Sequence, residues 1–383
     1  MEKSSRISGF YRLSVEDRLR IVSEFSNLNS DDKRILRKGT PLSNLDRMIE
    51  NVIGKIEIPL GIATNFLINK RDYLIPMATE EPSVVAAASN AARMARAGGG
   101  FNASSTEPVM IGQIQLVADN LDDARKKILR NKDRIIEIAN EQDEMLVKLG
   151  GGARNIETRM VDGMLIIHLL VDVRDAMGAN AVNTMVEAVS PFIEEITMGR
   201  IYLRILSNLA TKRMAYADVE IPADALGGSH VVDAIVKAYE FALADPYRAA
   251  THNKGIMNGI TAVALATGND TRAIESGAHA YASIDGRYRP LTEWSRSRDG
   301  NLIGKIRLPI AAGTVGGATS NPSARVALKI LGVKNAIELA EVMATIGLAQ
   351  NLAALRALST EGIQKGHMRL HKRRIIKDKN AEV

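Results

Sequence analysis

The sequence predicts an α+β fold in which a small unit is inserted into a larger one of mixed helices and strands. Three observations carry this. Between Pro108 and Ala210 the hydrophobic pattern runs strand, helix, hairpin, helix, strand. Outside that stretch helical and strand patterns alternate irregularly, and the helix opening at "SVVAAASNAARMARA" is rich in alanine on nearly every side, as a buried central helix is. The glycine fingerprint GxGxxG is absent, since "AGGGF", "LGGGAR" and "GTVGGAT" do not match it, so a Rossmann domain is not supported.

The βαββαβ order is that of a ferredoxin-like split unit. The expected division is a large domain of residues 1–107 and 215–366, a ferredoxin-like domain of 108–214, and a terminal region of 367–383. Within the insert, "VMIGQIQLVAD" is a strand and the segment from Leu121 to Gly150 one long amphipathic helix. "NIETRMVDGMLIIHLLVDV" is a hairpin, and a second helix and a strand complete the unit. Before the insert, Ser14 caps one or two surface helices over residues 14–38. Strand-like runs from Glu50 to Pro82 are broken by Gly54, Gly61 and the Asn69–Lys70 turn, and Pro82 opens the alanine-rich helix. After the insert come helices at His230–Ala244 and Arg272–Ala282, a hairpin about Asp299–Gly300, and helices over 322–331 and 335–358. In the segment Thr251 to Asp270, "NKGIMNG" reads as a helical turn ending at Gly259 and "ITAVALAT" as a strand, so the chain can double back.

Bulk chemistry excludes several function classes. The chain has 383 residues, 46% apolar and 25% charged, within the range of soluble globular proteins. No apolar run is long enough to span a bilayer and the N-terminus has no signal-peptide core, so a cytoplasmic protein without membrane association is expected. The absence of cysteine removes thiolate chemistry, and the six histidines form no HExxH pair, so no metal is expected. The net charge of +6 favours anionic ligands, but the basic residues are dispersed and aromatics are only 4%, so no nucleic-acid partner is expected.

Candidate chemistry gathers at a few places, each with a bland alternative. In "RDAMGANAVNTM" a strand ends, Gly178 turns the chain and a helix begins; its free N–H groups suit a phosphate, or the stretch is a plain turn. Glu80 and Glu81 precede a helix, as capping carboxylates or as an acid. Lys254 in an uncharged stretch is a buried cation or a snorkelling lysine. Asp270 is by default an N-cap, and His367 by default a surface histidine.

Taken together, "ENVIG" (50–54), "EEPSVVAAAS" (80–89), "VDVRDAMGANAVNTM" (171–185), "DPYRAATHNKGIMNG" (245–259), "ATGND" (266–270), "GTVGGAT" (313–319) and "GLAQNLAALRALSTEGIQKGHM" (347–368) resemble class II 3-hydroxy-3-methylglutaryl-coenzyme A (HMG-CoA) reductase. The likeness runs from about Arg6 to His371. It implies an enzyme of isoprenoid biosynthesis that reduces HMG-CoA to mevalonate and coenzyme A by two hydride transfers from NAD(P)H. It implies a catalytic set of Glu81, Lys254, Asp270 and His367, with Asp270 meeting Lys254. Ser83, Arg248, Asn258 and Gln350 resemble substrate contacts, and Arg12 lies near a family arginine at the coenzyme A phosphates. Asp175, Met177, Gly178, Ala179 and Asn180 match the pyrophosphate loop. Asp143 aligns with an acidic position facing the adenosine ribose, which implies NADH preferred over NADPH. The family also implies a homodimer, or a higher oligomer of dimers, and a C-terminal flap that this chain carries only in its beginning, from 367 onward. Two alternatives stay open: the same chemistry run as NAD-dependent mevalonate oxidation, and a non-catalytic CoA-thioester-binding protein.

Overall fold

The computed structural model describes residues 3–360 and 362. The chain opens with α1 (Val15–Ser26), α2 (Ser30–Lys38) and the short α3 (Leu42–Leu45). Ser14 caps α1 by accepting from the Asp17 amide, as its position predicts, and Asn29 with Asp32 forms a capping box on α2. Strands β1 (Leu60–Ile68) and β2 (Arg71–Ala78) follow, joined at Asn69 and Lys70, both with positive φ (49° and 64°) as the tight hairpin turn requires. The strand expected over residues 50–59 is not there: that stretch is non-regular and largely exposed, with Ile53 and Ile56 in solvent. Helix α4 (Val84–Ala95) begins two residues beyond Pro82, with Ser83 as its N-cap, and β3 (Phe101–Ser105) returns to the sheet.

The next stretch has β4 (Val109–Val117), α5 (Leu121–Arg130), α6 (Lys132–Asn140), α7 (Glu144–Lys148), β5 (Gly152–Val161), β6 (Met164–Asp172), α8 (Ala179–Thr197) and β7 (Arg200–Ser207). The single long helix expected from Leu121 is three pieces. Asn131 closes α5, and Asp143 restarts the chain by capping α7 through the Leu146 amide. The four strands form one antiparallel sheet in the order β5-β6-β4-β7, so β4 lies between β6 and β7 as a split βαββαβ arrangement requires. Its core joins Met110, Ile114, Ile128, Ile167, Met185 and Val189.

The chain then continues through β8 (Met214–Ile221), α9 (Ala223–Leu226), α10 (Ser229–Ala244), α11 (Pro246–Ala266), α12 (Thr271–Ala282), β9 (Thr292–Arg296), β10 (Leu302–Pro309), α13 (Pro322–Leu331) and α14 (Ala336–Ser359). A second sheet of six strands has the order β2-β1-β3-β8-β10-β9, and its core gathers Phe66, Ile75, Ile235, Ile260 and Met343 from the strands and helices packed on it.

Helix α11 overturns one expectation. "ITAVALAT" is not a strand and the chain does not break at Gly259; residues 246–266 are one helix. Asp245 caps it by accepting from the Tyr247 and Arg248 amides, and Pro246 occupies its first turn. Burial outweighs the β-branched residues, with eleven of its residues buried. Gly259 serves packing and not a turn: a Cβ there would lie 2.9 Å from the Ile346 carbonyl oxygen and 3.2 Å from Gln350 Cβ on α14.

A polar network anchors the inner face of α11. Trp294 Nε1 donates to Asn351 Oδ1 (2.7 Å), and Thr292 Oγ1 donates to the same oxygen (2.9 Å). Thr292 therefore accepts from His252 Nε2 at 2.6 Å, which leaves His252 Nδ1 unprotonated, buried and unpartnered. Burial, and secondarily Arg248, push the His252 pKa down from 6.5 to about 3.

Two outcomes follow. Gly259→Ala gains about 1 kcal/mol of helix propensity but forces α11 and α14 apart, so urea unfolding should register a net loss of about 1–2 kcal/mol. For His252, the unfolded chain takes up a proton as pH falls through about 6.5 while the folded chain resists until about pH 3. Stability should therefore decline on acidification across that window, by an amount on the order of a few kcal/mol. His252→Gln should flatten the decline; an unchanged slope would show that His252 is not its source.

Candidate active site

Sequence-distant segments meet at the start of α4. Lys254 on α11 donates from Nζ to Glu81 Oε2 at 2.9 Å, across 173 residues of chain. Lys254 is 62% exposed and Glu81 37%, so this ion pair faces solvent in the single chain and adds little to stability. Its neighbour Ser83 has φ 77°, a conformation a non-glycine residue adopts only when its surroundings impose it. The Ser83 hydroxyl is buried without a partner, and so is Gln350 Oε1 on α14. These are two orphaned oxygens at positions that the resemblance implies are substrate contacts, and ligand donors would satisfy them. Arg248 lies one and a half turns from Lys254 on α11; burial pulls its pKa down, and no carboxylate pairs with it among the described residues. Asn258 lies one turn beyond Lys254 and is half-buried.

Asp270 does not join this group. It caps α12, accepting from the Arg272 (3.0 Å) and Ala273 (3.1 Å) amides, with Arg272 Nε at 3.4 Å. Lys254 and Asp270 were expected to meet within one chain. The continuous α11 forbids it: Lys254 to Ala266 alone spans about 18 Å of helix axis.

Asp270 instead borders a cavity of about 660 Å³ with Asp143, Met177, Gly178, Ala179 and Asn180. Gly178, with φ 98°, turns β6 into α8, and a Cβ there would lie 2.5 Å from Val173 Cγ1, so only glycine fits. The first-turn amides of α8, which like those of any helix lack an intrahelical acceptor, receive no side-chain cap either. That supply of N–H groups at a helix start suits a pyrophosphate, so these residues fit the dinucleotide the sequence calls for. Asp175 is placed differently from its loop neighbours. Its carboxylate accepts from the Ala336 amide (2.8 Å) and its carbonyl from Thr314 N (2.8 Å) and Val315 N (3.3 Å), so it holds the loop and does not line the cavity. Gly268, Asn269 and Val315–Thr319 also line the cavity; they fall in "ATGND" and "GTVGGAT", motifs to which sequence reasoning assigned no cofactor contacts.

Arg12 lies in a short 3₁₀ turn with its guanidinium 5.4 Å from the Tyr11 ring centroid. His367 falls outside the described residues. Among the described residues no cluster of three or more His, Cys, Asp or Glu could hold a metal, and no helix is long and apolar enough to cross a membrane.

The family model for hydroxymethylglutaryl-coenzyme A reductase matches residues 14–372. The 3-hydroxy-3-methylglutaryl-coenzyme A reductase of Archaeoglobus fulgidus is 62% identical over 379 residues, covering 97% of this chain and 87% of its own. A probable reductase of the same name from Borreliella burgdorferi is 36% identical, over 98% of this chain and 84% of its own. The fold matches the class II 3-hydroxy-3-methylglutaryl-CoA reductase of Streptococcus pneumoniae, solved bound to NADPH in open conformations. The TM-score is 0.90 at 41% identity, covering 92% of this chain and 99% of that one. The chain belongs to the hydroxymethylglutaryl-coenzyme A reductase family, whose members are NAD(P)-dependent oxidoreductases.

Proposed function

We propose that this chain reduces HMG-CoA to mevalonate and coenzyme A at a centre shared between two copies. One copy supplies Glu81 and Lys254, and the other supplies Asp270 with its cofactor cavity. The observation that carries this is the Glu81–Lys254 contact at 2.9 Å, which continuous helix from Lys254 to Ala266 holds about 18 Å along the axis from the Asp270 end. A two-fold axis near the middle of the Lys254–Asp270 segment would set each Lys254 against Asp270 of the partner subunit. The outer face of α11 supports such pairing. Tyr247, Thr251, Lys254, Asn258, Thr261 and Leu265 follow one another at spacings of four and three, as a helix–helix seam does, and Tyr247, Thr251, Lys254 and Leu265 are exposed. The exposed Ile53 and Ile56 of the "ENVIG" region add apolar surface for a second copy to cover.

The side chains suit a thioester reduction. Reduced nicotinamide, when bound, supplies the hydride for each of the two steps. Hydride addition to the thioester carbon leaves an oxyanion, which the Lys254 ammonium stabilises by charge and hydrogen bonding. Asp270 of the partner subunit orients that ammonium. The C–S bond then breaks with its electron pair on sulfur, and His367 delivers a proton to the coenzyme A thiolate. In the second reduction Glu81 delivers a proton to the aldehyde oxygen as its carbon accepts hydride. Arg248 offers a planar fork to the substrate carboxylate, and Ser83, Asn258 and Gln350 hold its remaining oxygens. Arg12 serves the coenzyme A phosphates.

In the cavity, Met177, Gly178, Ala179 and Asn180 hold the pyrophosphate, and Asp143 accepts from a ribose 2′-hydroxyl and repels a 2′-phosphate. NADH is therefore the preferred cofactor, with NADPH tolerated. The insert of residues 108–214 is the cofactor-binding domain, and the protein works in the cytoplasm. The paired Glu81 and Lys254 speak against a mere thioester binder, which needs neither.

Following nicotinamide absorbance with HMG-CoA and either cofactor tests this. Two NADH oxidised per thioester, with a lower KM for NADH than for NADPH, is the expected result. Lys254→Ala should lower kcat by about 10²–10³-fold without unfolding the chain, since Lys254 is exposed. No oxidation with either cofactor would refute the reductase reading for this chain. A preference for NADPH would refute the role given to Asp143.

A further inference from the structure

We propose that Arg213 is a positioning residue for the cofactor cradle: it holds the 175–178 turn against the Gly313 backbone and so sets the distance from that cradle to Asp270. The proposal rests on the reading of the 660 Å³ cavity as the cofactor site.

Arg213 lies between β7 and β8, where the chain passes from the four-stranded sheet to the six-stranded one. It is 4% exposed. Its guanidinium is used wholly on backbone oxygens: Nη1 donates to the Ala176 and Met177 carbonyls, both at 3.1 Å, and Nη2 to the Ala312 carbonyl. Among the described residues it has no carboxylate partner within ion-pair distance. Burial lowers its pKa to about 10, with Asp172 and Asp175 opposing the fall, so it stays a cation at neutral pH. A buried cation is costly, and this one is compensated by three carbonyl dipoles that it must therefore hold in place. In a trans peptide the N–H points opposite to the carbonyl, so turning the Met177 carbonyl toward Arg213 turns the Gly178 amide away from it.

The same carbonyl cluster reaches the other wall of the cavity. Gly313 is pressed against the turn: a Cβ there would lie 2.6 Å from Met177 N and 2.8 Å from Ala176 C. Asn269, the residue before Asp270, grips Gly313 from the far side. Its Oδ1 accepts from Gly313 N (2.7 Å) and its Nδ2 donates to Gly313 O (3.1 Å). The path from Asp270 to the cradle is thus Asn269, Gly313 and the Ala176–Met177 backbone, closed behind by Arg213 through Ala312. The one side chain in that path, Asn269, is held at both its amide oxygen and its amide nitrogen by Gly313. The relation between a hydride donor and an acid–base centre depends on such geometry, where an error near 1 Å costs about 10²-fold in rate.

The test uses the full chain, with cofactor affinity from nicotinamide fluorescence and steady-state kinetics on HMG-CoA. Arg213→Lys keeps the charge but loses the fork. It should raise the Kd and KM for the nicotinamide cofactor about tenfold or more while the thioester KM stays within about twofold. Gly313→Ala drives a methyl group into the cradle while leaving Arg213 in place, and it should show the same selective loss; it carries the test if Arg213→Lys does not fold. A uniform loss toward both ligands, or a lowered Tm with cofactor affinity within about twofold of the parent, would overturn the proposal. Ala179→Asp sets a negative charge where the pyrophosphate is read to lie. If it leaves cofactor binding intact, the cavity assignment fails; if it abolishes binding while Arg213→Lys and Gly313→Ala do not weaken it, the role of Arg213 fails.

Discussion

A straight α-helix cannot bring its own ends together, and the arrangement of this protein follows from that constraint on α11. Its 21 residues span about 31 Å. Glu81 and Lys254 occupy one region along this rod, and Asp270 with the 660 Å³ cavity lies beyond its C-terminal end. The proposed centre, which uses all three charges, would therefore draw on two chains. The outer face of α11 is left open at the positions where a second copy would lie, while its inner face is held by His252, Asn253 and the packing of Gly259 on α14.

Polar groups are distributed by the same logic. His252, Thr292, Trp294 and Asn351 form a buried network whose acceptors are shared among its members, and this fixes the rotation of α11 about its axis. Rotation decides which side chains reach the open face. Ser83 Oγ and Gln350 Oε1, at proposed substrate contacts, are like His252 Nδ1 buried and unsatisfied. Buried oxygens left without a partner, one of them two residues from Glu81, are consistent with the proposed ligand site. At the other end, glycine does comparable work: Gly178 makes room for the Val173 side chain, and Gly313 lets its backbone approach Ala176 and Met177 more closely than any side chain would permit.

Much of this was legible in the sequence, and the failures have identifiable physical causes. The strand and helix order of the insert, the caps at Ser14 and Asp270, and the hairpins at Asn69–Lys70 and Asp299–Gly300 depend on local pattern and turn chemistry, which a sequence displays. Residues 260–266 were misread because Ile260, Thr261 and Val263 suit a strand locally, while burial between α14 and the sheet decides for helix. The single helix drawn over 121–150 ignored Asn131 and Asp143, both residues that end or restart helices. Glu81 and Lys254 were identified as site residues, but their pairing across 173 residues is a tertiary fact with no local signature. Arg213 and Asn269 went unnoticed for the same reason, since each acts on backbone atoms far away in sequence.

The central claim, that Lys254 works with Asp270 of the partner subunit, is open to direct test by complementation. Lys254→Ala and Asp270→Ala chains, each inactive as expressed alone, would be co-expressed and the mixed oligomers assayed for HMG-CoA-dependent nicotinamide oxidation. A shared centre predicts recovery of roughly a quarter of parental activity, because half of randomly formed pairs are mixed and each mixed pair regains one intact centre of two. If Lys254 and Asp270 served within one chain, every centre would still lack one of them. Activity no higher than that of either variant alone would contradict the shared site.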